Sequence, residues 1–234
     1  WRRFLGKLGY EHEDIKDYIA GPAYYAWAYM ANLSGFGGPV HDSWFEERTQ
    51  LARENQLIMR RLGMQPVLQG YSGMVPTDIQ DYDADAQIIA QGTWCSFQRP
   101  AMLVTTSATF DEYAALFYEC QKEVFGDITH FYAGDICHEG GKLGKKAKEA
   151  YTNVMESMLS FDKEAMWVIQ CWSLNPNKTF TNAVKQYRAN HIMMLDLHFE
   201  KINHNANKFS RLAKYGNVLS GLLNNFGGRH GLYG

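Results

Sequence analysis

Residues 109–141 read TFDEYAALFYECQKEVFGDITHFYAGDICHEGG, and this stretch decides the fold. Thr109 and Glu112 form a capping box, in which the two side chains satisfy free amides of a first helical turn. Behind it Tyr113, Ala114, Phe117, Cys120 and Val124 recur at helical spacing, and Gly126 ends the helix. The pattern then changes. His130–Ala133 is a short, continuous apolar run that stops at Gly134-Asp135, as a buried strand does. One helix, one strand and one polar loop follow in order.

The same unit recurs on both sides. Upstream, Ser43-Trp44-Phe45-Glu46 is another capping box. It opens a helix that carries Leu51, Ala52, Ile58, Met59 and Leu62 on one face and closes at Gly63. The run Pro66–Leu68 follows, then the turn Gly70-Tyr71-Ser72-Gly73. Downstream, helices are predicted over 145–159 and 180–187. They are followed by the runs Met166–Trp172 and Ile192–Leu197, and a last run covers Val218–Leu223. Short strands alternating with amphipathic helices are the signature of βα units on a parallel sheet. A doubly wound sheet and a (β/α)8 barrel both fit. In either, functional groups collect past the C-terminal ends of the strands. Here those ends carry Tyr71 and Ser72; Asp135, His138 and Glu139; Trp172; Asp196, His198 and Glu200; Asn224 and Asn225. Their spread over successive strands favours the barrel, since a doubly wound sheet concentrates its site at one switch point.

Composition narrows the function. The chain has 234 residues, 46% of them apolar and 21% charged, with a net charge of −2. That is a globular balance with no basic stripe for nucleic acid. No apolar run approaches the roughly 18 residues that span a membrane. Aromatics reach 14% of the chain, and aromatic faces pack cores or sugar rings. Cys95, Cys120, Cys137 and Cys171 form no CxxC and no Cys/His cluster, so no zinc site is expected and free buried thiols are. Because it opens on Trp1, the chain is expected to belong to a longer one.

Several motifs fail on spacing. Gly140-Gly141-Lys142-Leu143-Gly144-Lys145 lacks the glycine spacing and the Ser/Thr of a phosphate loop. His138-Glu139 begins HExxH, but position 142 is lysine. His198-Phe199-Glu200 has the HxE of zinc deaminases without the CxxC. Neither GxGxxG nor GxSxG occurs in a usable context. What remains is Glu139, a carboxylate just past a strand. Phe131, Tyr132 and Trp172 are expected to shield it and so favour the protonated form a general acid needs. The competing reading is a surface glutamate on a glycine loop. Trp94, between Gly92 and Phe97, and Trp172 read as sugar platforms or as core.

Six ordered blocks then carry a resemblance. They are GPAYYAWAYMANLSGFGGPVHDSW (21–44), MRRLGMQPVLQGYSGMVP (59–76), FYAGDICHEGG (131–141), WVIQCW (167–172), MLDLHFE (194–200) and NNFGGRHGLYG (224–234). Together they resemble the α-N-acetylglucosaminidases of glycoside hydrolase family 89, and the HEGG form is similar to the bacterial branch. The resemblance implies a (β/α)8 TIM barrel, here a partial one lacking its first strands and its last. Residues 1–234 would be the central part of the catalytic domain. It also implies retaining hydrolysis of terminal α-linked N-acetylglucosamine by two carboxylates.

By that resemblance Glu139 is the acid/base, and the nucleophilic glutamate lies beyond Gly234. Trp27, Trp94, His138, Trp172, Asn225 and His230 bind the sugar, with no metal and no organic cofactor. A secreted or periplasmic location is implied, and the partner is an α-GlcNAc-terminated glycan such as heparan sulfate or a mucin glycan. Cys137, Ile136 and Met155 depart from the family's usual residues, which bears on fine specificity. Two further readings stand beside the enzyme: a carbohydrate-binding relative without turnover, and Glu200 as the second carboxylate. For the latter, the plainer view has Asp196 and Glu200 supporting the pocket or facing solvent. Unpaired barrel edges lead us to expect a marginally stable or self-associating chain.

Overall fold

The structure, a computed structural model, describes residues 1–19, 21, 24, 28–35, 40–134, 136, 138–171, 175–196, 213–214 and 216–220. Five parallel strands form the main sheet: β1 (Leu68–Gln69), β7 (Phe131–Ala133), β8 (Met166–Cys171), β9 (Ile192–Asp196) and β10 (Asn217–Ser220). Their spatial order follows the chain without reversal, β1-β7-β8-β9-β10. A doubly wound sheet must reverse at a switch point, whereas a barrel adds each strand beside the last. The order is therefore that of a barrel. The register is continuous: Leu68 pairs with Tyr132, Tyr132 with Trp167, Trp167 with Ile192, and Met193 with Asn217.

Helices fill the crossovers. They are α1 (Arg2–Lys7), α2 (His12–Tyr18), α3 (Asp42–Arg61), α4 (Ala108–Phe125), α5 (Ala147–Phe161), α6 (Lys178–Ala183) and α7 (Arg188–His191). The expected face of α4 is buried at Tyr113, Ala114, Phe117 and Cys120. Gly126 closes it at φ 73°, a conformation that favours glycine. The N-caps differ from the predicted boxes. Ser107 caps α4 by accepting from the Phe110 amide, and the His41 ring caps α3 by accepting from the Ser43 amide. Of the helix predicted over 180–187 only the part to Ala183 forms, as the end of α6; 184–187 turn, and α7 starts afterwards at Arg188. In α3 only Phe45 is buried, while Leu51, Ile58 and Leu62 of the predicted apolar face are exposed.

The core lies between the sheet and α4, α5 and α6. Trp167 on β8 is fully buried, packs edge-on to Phe180 at 5.3 Å, and donates its indole N–H to the Gly134 carbonyl at 2.9 Å. Met155, noted above as a departure from the family's usual residues, is fully buried on α5. Cys120 and Cys171 are buried as expected, but Cys95 is exposed because it sits at a hairpin tip.

One layer has no counterpart in the sequence reading. Between β1 and α4 the chain inserts a three-stranded antiparallel sheet, β2 (Met74–Val75), β6 (Ala101–Leu103) and β3 (Ile88–Ile89), in the order β2-β6-β3. It also inserts a hairpin of β4 (Thr93–Trp94) and β5 (Phe97–Gln98). Segments of two or three residues are too short to show a period.

Candidate active site

The site is built where β1 and β7 end. Gly70 N–H donates to the Ala133 carbonyl, and a Cβ on Gly134 would lie 3.0 Å from the Gly70 carbonyl oxygen. Only glycine lets the two backbones close this near. With its carbonyl held by Trp167, Gly134 launches the loop that carries Glu139. Ile136 buries its side chain and anchors that loop. His138–Gly140 then form a tight turn kinked at Glu139, which takes φ 45°, ψ 53° and is not helical. A non-glycine residue in the left-handed region is uncommon and persists only where its surroundings over-determine it.

Those surroundings come from the inserted hairpin. Arg99, 3% exposed, donates from Nη2 to the Glu139 carbonyl at 2.6 Å. Gln91 grips Lys142 both ways, accepting from its amide at 2.7 Å and donating to its carbonyl at 3.0 Å. The same hairpin steadies a second segment, since the Gln98 carbonyl accepts from the Ser34 amide at 2.9 Å. Two residues before Ser34, the fully buried Asn32 donates from Nδ2 to Glu139 Oε2 at 3.2 Å. The Glu139 side chain itself is exposed. The arrangement holds one carboxyl, backbone and head, at the C-terminal end of a parallel strand, with Oε1 making no hydrogen bond among the described residues. Chemically that is a group able to give and take a proton.

The expected shielding does not hold: the Glu139 side chain is exposed, and Trp172 lies outside the described residues. Tyr132 points the other way, its hydroxyl donating to Thr129 O and Asp162 at the opposite end of the strand, because period-2 alternation turns it into the core. Tyr71 is likewise core, 1% exposed among Phe4, Phe110 and Phe117. Trp94 is half-buried on β4, stacked on Phe97 at 6.3 Å, and is therefore on the hairpin that braces Glu139. Asp196 is 2% exposed at the end of β9, so it does not face solvent. His138 has its backbone in the tight turn, but its side chain lies outside the description. Trp27, Asp135, Cys137, Trp172, His198, Glu200, Asn224, Asn225 and His230 lie outside the described residues. Asn32, Arg99 and Gln91 were not singled out from sequence. No periodic pattern marks them, and only Asn32 falls in a quoted block.

A cavity of about 480 Å³ lies elsewhere, between α1, α3 and α4, walled by Trp1, Trp44, Phe45, Gln69 and Phe117. Glu139, Asn32 and Trp94 are not in its wall, so the chemistry does not belong to it. Among the described residues no cluster of His, Cys, Asp or Glu could hold a metal, and no helix is long and apolar enough to cross a membrane.

A sequential parallel sheet with a braced carboxyl at its C-terminal edge is the layout of a (β/α)8 barrel, whose functional groups collect at that edge. The comparisons say which family it is. All of residues 1–234 match the family described as the alpha-N-acetylglucosaminidase (NAGLU) tim-barrel domain, and the chain belongs to that family. It is 29% identical to the human alpha-N-acetylglucosaminidase over 250 residues, covering all of this chain and 33% of that protein. It also superposes on the family 89 glycoside hydrolase from Clostridium perfringens. With 2-acetamido-1,2-dideoxynojirimycin bound, the TM-score is 0.81 at 45% identity; with GlcNAc-alpha-1,4-galactose, described as its substrate, 0.81 at 44%. Each match covers 85% of this chain and 23% of the solved one. The chain thus spans about a third of the curated relative and under a quarter of the solved one.

Proposed function

We propose that this chain carries the acid/base side of a retaining glycosidase site that releases terminal α-linked N-acetylglucosamine from glycans. The observation that carries the proposal is Glu139, held in a left-handed conformation past β7 with Arg99 on its carbonyl and Asn32 on its carboxyl. Membership of the family supports the reaction, and the relative's complex with GlcNAc-alpha-1,4-galactose supports the substrate class.

In the first step Glu139 gives its proton to the glycosidic oxygen as the bond to the anomeric carbon breaks. A second carboxylate forms a bond to that carbon from the opposite face. In the second step Glu139 takes a proton from water, which attacks the same carbon and frees the second carboxylate. Two such carboxyls stand about 5–5.5 Å apart in retaining enzymes. By family resemblance the second belongs to a glutamate outside residues 1–234, and Glu200 is the alternative within them. Proton NMR of the first sugar released from an aryl α-N-acetylglucosaminide tests the reaction. The α anomer supports retention, and the β anomer refutes it. Saturable sugar binding with no product would instead support the carbohydrate-binding reading.

A further inference from the structure

Asn32 does more than hold a loop. Its side chain is fully buried, Nδ2 is spent on Glu139 Oε2, and Oδ1 has no hydrogen-bond partner among the described residues. Three other buried polar atoms share that condition: the Tyr18 and Tyr71 hydroxyls and Gln56 Oε1. None of these belongs to a residue bonded to Glu139. A buried amide oxygen left unpaired is unfavourable, so its persistence asks for a donor that arrives later. The backbone points the same way. Ala31, immediately before Asn32, sits at φ 57° outside any strand or helix, and Glu139 sits at φ 45°. Strain on both sides of one hydrogen bond is the mark of a geometry fixed for use.

We propose that Asn32 is a positioning residue for Glu139, with Oδ1 reserved for a hydrogen-bond donor on the bound sugar. Nδ2 fixes Oε2, which leaves Oε1 for the glycosidic oxygen. The amide is planar, so Oδ1 lies one amide width to the side of the carboxyl, where the sugar ring comes to rest. A sugar brings hydroxyl and acetamide N–H donors, while a sulfate dianion brings only acceptors. Asn32 therefore selects a ligand that presents a hydrogen-bond donor at this place. The proposal rests on Glu139 being the acid/base.

The test compares two aglycones on Asn32→Ala and Glu139→Gln. A 2,4-dinitrophenyl group leaves without a proton, and a sugar leaving group needs one. Asn32→Ala is expected to slow release of the sugar aglycone at least ~10-fold more than release of dinitrophenol, a fraction of what general acid catalysis supplies. Equal loss on both substrates would mean a role in folding only and would overturn the proposal. Glu139→Gln showing no such dependence would instead overturn the reading of the site. A crystal structure of the 234-residue Asn32→Ala chain needs no turnover. The Glu139 carboxyl is expected to leave its present position, and a carboxyl that stays in place would overturn the proposal. Binding of 2-acetamido-1,2-dideoxynojirimycin checks the sugar contact without turnover, with an expected loss of about 10-fold in affinity for Asn32→Ala. Unchanged affinity would remove the sugar contact.

Discussion

Glu139 shows how one residue is made functional by its neighbours' backbones. Its left-handed conformation is paid for by Arg99, Gln91 and Asn32, none of them adjacent in sequence. The glycines before and after it act differently. At Gly134 a side chain would meet the Gly70 carbonyl oxygen at 3.0 Å and carbon at 3.3 Å, and the short Gly70–Ala133 bond prevents either strand from giving way. Gly134→Ala should therefore destabilise by about 1–3 kcal/mol in urea unfolding, as overpacking does. Gly140, at φ 92°, has nothing within 4 Å of an added Cβ. Gly140→Ala should cost only its backbone strain, about 1 kcal/mol. A Gly134→Ala protein as stable as the parent would show that the strands separate freely.

At the scale of elements, the long helices and buried parallel strands were legible because each carries a period or an apolar run. The antiparallel insertion over 74–103 was not, and it is the part that braces the site through Arg99, Gln91 and Gln98. Its strands are set by tertiary pairing, which leaves no pattern along the chain. Helix caps were misplaced for a related reason: Ser107 and His41 lie just outside the boxes, and only the fold decides which side chain meets the free amide. Asp42, in the first turn of α3, ties α3 to α2. Lys16 donates to it at 2.7 Å and His12 lies 2.6 Å away, and together they hold its carboxyl down at about 2. A carboxyl depressed in the folded state stabilises above its ordinary pKa, near 3.8, and loses that effect as pH falls from there through about 2. Solvent exposure and salt keep the effect small. In carboxyl NMR titration Asp42 should have its midpoint near 2, and Lys16→Ala should raise it. A midpoint that ignores Lys16 would contradict the link.

At the scale of the molecule, sequence blocks fixed the family before any contact was known, while most sugar-binding positions they imply fall outside the described residues. The fold also leaves apolar surface uncovered. Leu57 and Ile58 on α3, with Leu62, Met64 and Val67 after it, are 48–68% exposed, and the outer edge of β1 has no neighbour in the described sheet. Exposed apolar side chains and an open strand edge each favour association. Sedimentation velocity should show the 234-residue chain self-associating with rising concentration, and Ile58→Glu with Leu62→Glu should reduce this. A monomer at all concentrations would show that the face is tolerated in water.

The central claim is that Glu139 transfers the proton to and from the glycosidic oxygen. The most direct measurement is hydrolysis of an α-N-acetylglucosaminide with a sugar aglycone, comparing Glu139→Gln with the parent in protein carrying residues 1–234 and matched for folding. We expect the substitution to lower turnover by about 10²–10⁴-fold, the usual contribution of a general acid/base. Turnover within a few-fold of the parent would contradict the account and return Glu139 to the surface of a glycine loop.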